Sequence, residues 1–303
     1  MNVLLFLALL AQDARQIAIT VDDLPCAGGC RDLAEMRSIT ARITNALRGT
    51  SAIGFVNEIG LQKDGERDAR VRLLEQWLDA GLTLGNHTYE HLDPNTVPID
   101  AYTDGIVQGE VVTRHLLEKR KLRMRYFRHP FTHTGPTAEY KRDLDKFLAS
   151  RGYETAPFTL ENSDYMWARV YRDAIERDDR RTAARVEKEY IEHLEAATRV
   201  AEQISMKMFQ REIPQILLMH ANLLNAAVMP ELLRVFERRG YAFAALETAL
   251  KDAAYRTPDL YVDRFGPSWF HRWGVALGIP YPSRDEPEPP AWVMSAYEAI
   301  SKR

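Results

Sequence analysis

The chain has 303 residues, 46% of them apolar, with a formal net charge of −3. There is ample material for one large core, and α/β barrels often run this long as a single unit. The sequence lacks a dense Lys/Arg run or an interleaved aromatic platform, which argues against a nucleic-acid partner, and nothing in it points to a protein partner.

The N-terminus opens with a wholly apolar run, Val3 to Leu10, followed by polar Gln12-Asp13. The run is too short to span a bilayer and fits the apolar core of an export signal, which would make residues 1–14 a signal peptide and the protein periplasmic or secreted. No Lys or Arg precedes it, and Ala11 is the only small residue suited to cleavage. A buried first strand in a cytoplasmic protein therefore stays open. No other segment is long and apolar enough to cross a membrane.

Gln16–Val21 alternates and is rich in β-branched residues, which predicts a strand. It runs into Thr20-Val21-Asp22-Asp23-Leu24-Pro25. Adjacent carboxylates at a strand end can diverge, one toward a metal and the other toward a water; a solvated pair opening a turn is the plainer alternative. Cys26 and Cys30 flank a Gly pair that allows a tight loop, so they form either a disulfide or two free thiols. Two thiolates alone are too few for a structural metal site.

Further strands are predicted at Ala52–Val56, Leu82–Leu84, Tyr126–Phe127, Gln215–Met219 and Ala242–Ala245. Helices are predicted at Ser38–Leu47, Ala69–Ala80, Ile106–Lys119 and Ala138–Ser150 from apolar residues at three- and four-residue spacing. This alternation implies a parallel sheet and, at this length, a closed α/β barrel over residues 15–255. Tyr171–Gln210 is a long charged helical stretch, read as an insertion packed outside the barrel. From Arg256 the chain is rich in Pro, Trp and Tyr and reads as an irregular wrap over 256–303, docked by its aromatics.

Chemistry-bearing residues follow the predicted strands, where barrel sites are built. In Gly85-Asn86-His87-Thr88-Tyr89-Glu90-His91, the two His lie at i and i+4, which on a helix would share a face and reach one ion. Tyr126-Phe127-Arg128-His129-Pro130-Phe131 places a permanent cation after a strand. Glu161-Asn162-Ser163-Asp164-Tyr165-Met166-Trp167 is a polar turn closed by aromatics. Ile216-Leu217-Leu218-Met219-His220 ends an apolar strand in a single His, where either a carbonyl-bonded core residue or a proton donor can sit. Asn57 and Asn222 are candidates for the pocket lining; His129 and His133 are taken as loop residues.

In this order, T-x-D-D, H-T-x-x-H, R-x-P-F, the acidic–aromatic turn and L-x-H, the motifs resemble the polysaccharide deacetylase family, the NodB-homology or carbohydrate esterase family 4 hydrolases, over roughly residues 16 to 250. The resemblance implies a distorted (β/α) barrel of about seven parallel strands and a metal triad of Asp23, His87 and His91, with a position left for water. It implies Asp22 as general base, Arg128 as its partner, the backbone N–H of Phe131 as oxyanion donor, His220 as general acid and Asp164 as the group that orients His220. The implied cofactor is a divalent metal, zinc foremost, with Co, Ni, Mn and Fe(II) compatible with the same ligands. The implied partner is a carbohydrate or small amide substrate, and the implied reaction is removal of N-acetyl groups. Alternatives are a small non-peptide amide or an O-acetyl ester as substrate, or a non-catalytic carbohydrate binder. The motifs depart from the family at Leu24, Glu161 and Tyr165. Glu161 is given no role, and Trp167 is expected to supply the apolar wall of the site.

Overall fold

A computed structural model describes residues 15–281 and 286–302. The signal-peptide reading of residues 1–14 lies outside the described residues. Among those described, the elements run β1 (Arg15–Leu24), α1 (Leu33–Ala46), β2 (Ile53–Val56), α2 (Arg67–Asp79), β3 (Thr83–Asn86), α3 (Ile99–Gln108), α4 (Val111–Lys119), β4 (Tyr126–Phe127), α5 (Ala138–Ser150), β5 (Glu154–Thr155), α6 (Asp164–Glu176), α7 (Arg180–Phe209), β6 (Gln215–His220), α8 (Leu223–Arg238), β7 (Tyr241–Phe243), α9 (Leu246–Ala249), α10 (Trp269–Leu277) and α11 (Ala291–Ser301).

Every strand pairing is parallel, in the order β5-β4-β3-β2-β1-β6, with β7 on β1. Ile17 pairs with Gln215 of β6 and with Phe243 of β7, so β7 sits on the β2 side of β1, ahead of the point where β2 begins. β1 is the central strand. Its residues Ile17, Ala18, Ile19 and Val21 are almost wholly buried, as a strand covered on both faces requires. The sheet curls until Leu160, five residues beyond β5, bridges Leu217 of β6. Leu160 thus ties the β5 end of the sheet to β6 and draws the strand ends around a single rim, the distorted barrel that the resemblance implies.

The predicted strands all form. β5 is additional: two residues carry no periodic signal. The single helix expected over Ile106–Lys119 is two helices, α3 and α4, parted at Gly109-Glu110. Gly109 lies so close to the chain at Thr88 that a Cβ there would overlap the Thr88 carbonyl carbon. The charged insertion is a helix pair, α6 and α7. The buried residues of α7 recur at three- and four-residue steps (Val186, Tyr190, Leu194, Ala197, Ala201, Ile204, Met208), so it packs along the barrel. The tail is docked by aromatics, with Phe270 and Trp273 fully buried, but it is less irregular than expected, since α10 and α11 interrupt it. None of the described helices is long and apolar enough to cross a membrane.

Candidate functional site

The C-terminal ends of β1, β3, β4 and β6 and the start of α6 converge on one cavity of about 690 Å³. On β1 the pairing register shifts between Val21 and Leu24, and Asp23 takes a left-handed φ of 63°. This irregularity corrects the expected divergence of the pair: Asp22 and Asp23 both line the cavity.

His87 and His91 do not share a helix face. They lie on a loop after β3, with left-handed φ at Thr88 (66°) and His91 (59°). The neighbouring chain holds that shape. Asn86 Oδ1 accepts from the Thr88 N–H at 2.7 Å, Thr88 Oγ1 accepts from the His91 N–H at 3.1 Å, and Asn57 Nδ2 donates to the His87 carbonyl at 2.5 Å. Tyr89 N–H donates to the Gly105 carbonyl at 2.8 Å.

The result is a compact donor set. One ligand atom each from Asp23, His87 and His91 lies within 4.8 Å of the others. Asp23 Oδ1 is 3.4 Å from His87 Nε2 and 3.5 Å from His91 Nε2, and it is a buried oxygen without a hydrogen-bond partner. His87 Nδ1 lies 2.7 Å from the Arg128 carbonyl. A carbonyl only accepts, so Nδ1 carries the proton and Nε2 offers its lone pair to the cavity. Burial, and then the neighbouring His87, push His91 down to about 4, which leaves a neutral imidazole at neutral pH. Burial alone would raise the Asp23 carboxyl, but the His87 contact and the charges of His220, His87 and His91 hold it well below the usual range. A carboxylate with an orphaned oxygen and two imidazoles gathered around it fit a divalent cation.

Behind the triad, Arg128 Nη1 faces Asp22 Oδ2 at 3.5 Å, with both side chains buried. Arg128 Nη2 donates to Thr20 Oγ1 at 2.8 Å, and its guanidinium lies over the Phe55 ring. Asp22 Oδ1 has no hydrogen-bond partner. Across the cavity, His220 Nδ1 contacts Asp164 Oδ1 at 2.7 Å. Asp164 Oδ2 accepts from the His220 N–H, Asn222 Nδ2 and Asn225 Nδ2. Burial pulls the His220 imidazole down, but Asp164, with Asp23 and Asp22 further off, raises it to about 10. The same contacts outweigh burial at Asp164 and lower its carboxyl.

Phe131 lies at the rim, with its ring edge-on to His91 at 4.6 Å; both it and Thr132 have left-handed φ. Trp167 does not reach the cavity. It is fully buried and packs on Tyr190, His193 and Trp292, because helix α6 begins at Asp164 and turns that residue inward. Tyr165 lines the cavity in its place. Glu161 also lines it. Its carboxyl opens to the cavity but is hemmed in by protein, and loss of water, with Asp164 and Glu286 adding, pushes it up to about 7.

Sequence reasoning missed the supporting polar residues. Asn225 is held by Tyr190 of the insertion, whose hydroxyl donates to it at 2.7 Å. Asn57 and Asn222 support loops: Asn57 braces the His87 carbonyl, and Asn222 caps α8 while donating to Asp164. The tail's part was missed as well. Arg272, fully buried, donates to the Thr132 carbonyl at 2.6 Å, pairs with Asp259 at 3.0 Å, and contacts Thr134. Cys26 and Cys30 are disulfide-bonded, and between them Ala27 N–H donates to the Ala221 carbonyl, next to His220.

Residues 10–156 match the family model described as polysaccharide deacetylase. No curated protein matches the chain. Among solved structures, a chitin deacetylase of the fungus Colletotrichum lindemuthianum aligns at 20% identity over 81% of this chain and 91% of its own, with a TM-score of 0.51. A polysaccharide deacetylase of Bacillus cereus aligns at 15% identity over 76% and 91%, TM-score 0.51. A carbohydrate esterase family 4 pseudoenzyme of Bacillus anthracis aligns at 17% identity over 78% and 66%, TM-score 0.50. At these identities the structures bear on the fold. Asp22, Asp23, His87, His91 and Arg128 lie within the matched segment, and Asp164 and His220 lie beyond it. Residues 10–156, just under half of the chain, thus match the polysaccharide deacetylase family model, and the fold is that of the carbohydrate esterase family 4 structures.

Proposed function

We propose that this protein is a metal-dependent hydrolase that removes an acyl group, acetyl in the simplest case, from the nitrogen of an amino sugar. The observation that carries the proposal is the meeting, in one cavity, of a three-ligand cation site, a buried carboxylate paired with Arg128, and a His–Asp pair on the opposite wall.

Asp23, His87 and His91 would hold the ion, with zinc the first choice for this donor set. Bound there, it lowers the pKa of a water and polarises an acyl oxygen. Asp22 takes the proton of the attacking water as the O–C bond forms. The Arg128 guanidinium pairs with Asp22 and orients its carboxylate. The Phe131 backbone N–H would donate to the developing oxyanion. His220, held protonated by Asp164, gives its proton to the nitrogen as the C–N bond breaks.

The shape of the cavity favours a small substrate or a chain end. At about 690 Å³, walled by α7 on one side and by Gly266–Ser268 and Tyr297 of the tail on another, it has the dimensions of a small-molecule pocket. An O-acyl ester or a small non-peptide amide fits the same chemistry. The Cys26–Cys30 disulfide supports an oxidising compartment and hence export. The test is Asp22→Asn. The variant should keep the metal of the wild type and lose about 10² to 10⁴ in turnover. Undiminished acetate release from the variant would refute Asp22 as the base, and a wild type that binds sugars without hydrolysing any would be a binding protein.

A further inference from the structure

On one long helix of the insertion, Ala197, Val200, Ala201 and Ile204 recur at i, i+3, i+4 and i+7, the spacing of a single helix face. Such a face ordinarily packs against other apolar side chains. Here all four residues line the cavity that holds the triad, together with Leu160 and Leu218. Leu218 stands two residues before His220 on β6, so the two share a face of that strand. The apolar wall therefore begins beside the proton donor and extends along α7 for about 10 Å. Ala197, Ala201 and Ile204 are otherwise buried in the core and present only their outermost atoms to the cavity, and the single methyl of an acetyl group could not contact the whole of that length. The opposite rim is acidic, with Glu161, Glu286 and Glu288, which disfavours a substrate that brings an anionic head to the mouth.

We propose that this wall is a subsite for an aliphatic chain, and that the substrate is an amino sugar bearing an alkyl chain of several carbons, either as its N-acyl group or as its aglycone. The inference rests on the hydrolase reading above and gives that site a substrate class. Neither the triad nor the His–Asp pair calls for such a wall.

Two substrate series test it on the metal-loaded full chain: N-acyl glucosamines from acetyl to octanoyl, and alkyl glycosides of N-acetylglucosamine from methyl to octyl. Amine release is followed in the first series and acetate release in the second. Burial of each methylene should raise kcat/KM by about fourfold until the wall is filled. A rise in the first series puts the chain on the acyl side, and a rise in the second puts it on the aglycone side. Values that stay flat or fall in both series overturn the proposal. Ala201→Phe, which fills the wall, should collapse the octyl-to-methyl or octanoyl-to-acetyl ratio toward one; a ratio unchanged in a folded variant also counts against the subsite. If that variant does not fold, the wild-type series decide alone. If no compound is hydrolysed, the hydrolase reading fails separately. Calorimetric titration with the same compounds then decides the subsite: tighter binding of the long-chain members sustains it, and equal binding overturns it.

Discussion

At the scale of single residues, the site works by leaving each reactive atom one available role. The Arg128 carbonyl at His87 Nδ1 fixes that ring's proton and frees Nε2. His87→Ala should therefore abolish stoichiometric metal uptake, measured by elemental analysis; retention of the full complement would show that the ion sits elsewhere. The His220–Asp164 pair links stability to pH. His220 titrates at about 10 when folded against 6.5 when free, so its contribution is complete below about 6.5 and is lost as the pH rises through 10. Asp164, held below its ordinary 3.8, contributes above that value and loses its contribution as the pH falls. Melting temperature should thus decline from near neutral toward pH 10 in the wild type and decline less in Asp164→Asn; equal slopes would contradict the pairing. The reactive residues themselves were legible in the sequence because their side-chain chemistry is rare and their spacing is tight. Asn225 and Tyr190 were not, since nothing but their neighbours in space distinguishes them from ordinary polar residues.

At the scale of elements, irregular backbone does the placing. The shift at Asp23 occurs in the last residues of β1, and the left-handed Thr88 and His91 and the consecutive left-handed Phe131 and Thr132 follow the ends of β3 and β4. Periodicity reports regular elements, which is why the His87 loop read as a helix and why the gap between α3 and α4, where Gly109 packs against Thr88, left no signal. Trp167 failed as a wall residue for a related reason: the start of α6 at Asp164 decides which way the aromatics face. The tail supplies a lock that no motif announced. Thr132 Oγ1 donates to the Gly266 carbonyl, and a Cβ at Gly266 would overlap both Thr132 Oγ1 and the Phe131 carbonyl. Gly266→Ala should therefore displace the Phe131 loop, lowering kcat by up to about a hundredfold with metal content intact. Unchanged kcat would show that the tail does not position that loop.

At the scale of the whole molecule, the barrel was legible because strands and helices alternate and the helices carry clear periodicity. Closure was expected from the alternation and the length, but the means of it was not, because it depends on the two-residue β5 and on one bridge, Leu160 to Leu217. The relation of the insertion and the tail to the cavity was equally hidden. Both read as peripheral, yet α7 and Gly266–Ser268 form walls of the chamber that the barrel rim opens into, and the tail's Trp292 donates to Glu189 of α7 at 2.8 Å. The substrate thus meets a chamber built from three parts of the chain, with the reactive groups on the barrel and the bounding surfaces largely outside it.

The central claim is that a cation held by Asp23, His87 and His91 is required for hydrolysis of an N-acyl sugar. The most direct test measures metal content and acyl release together, on purified protein before and after chelation and after metal is restored, across N-acyl sugars, short oligomers and O-acetyl esters. The account predicts about one ion per chain, by the three-ligand geometry of such sites, and release that vanishes with the chelator and returns with the metal. Protein that neither contains nor takes up metal, or release that persists after the ion is stripped, would contradict it.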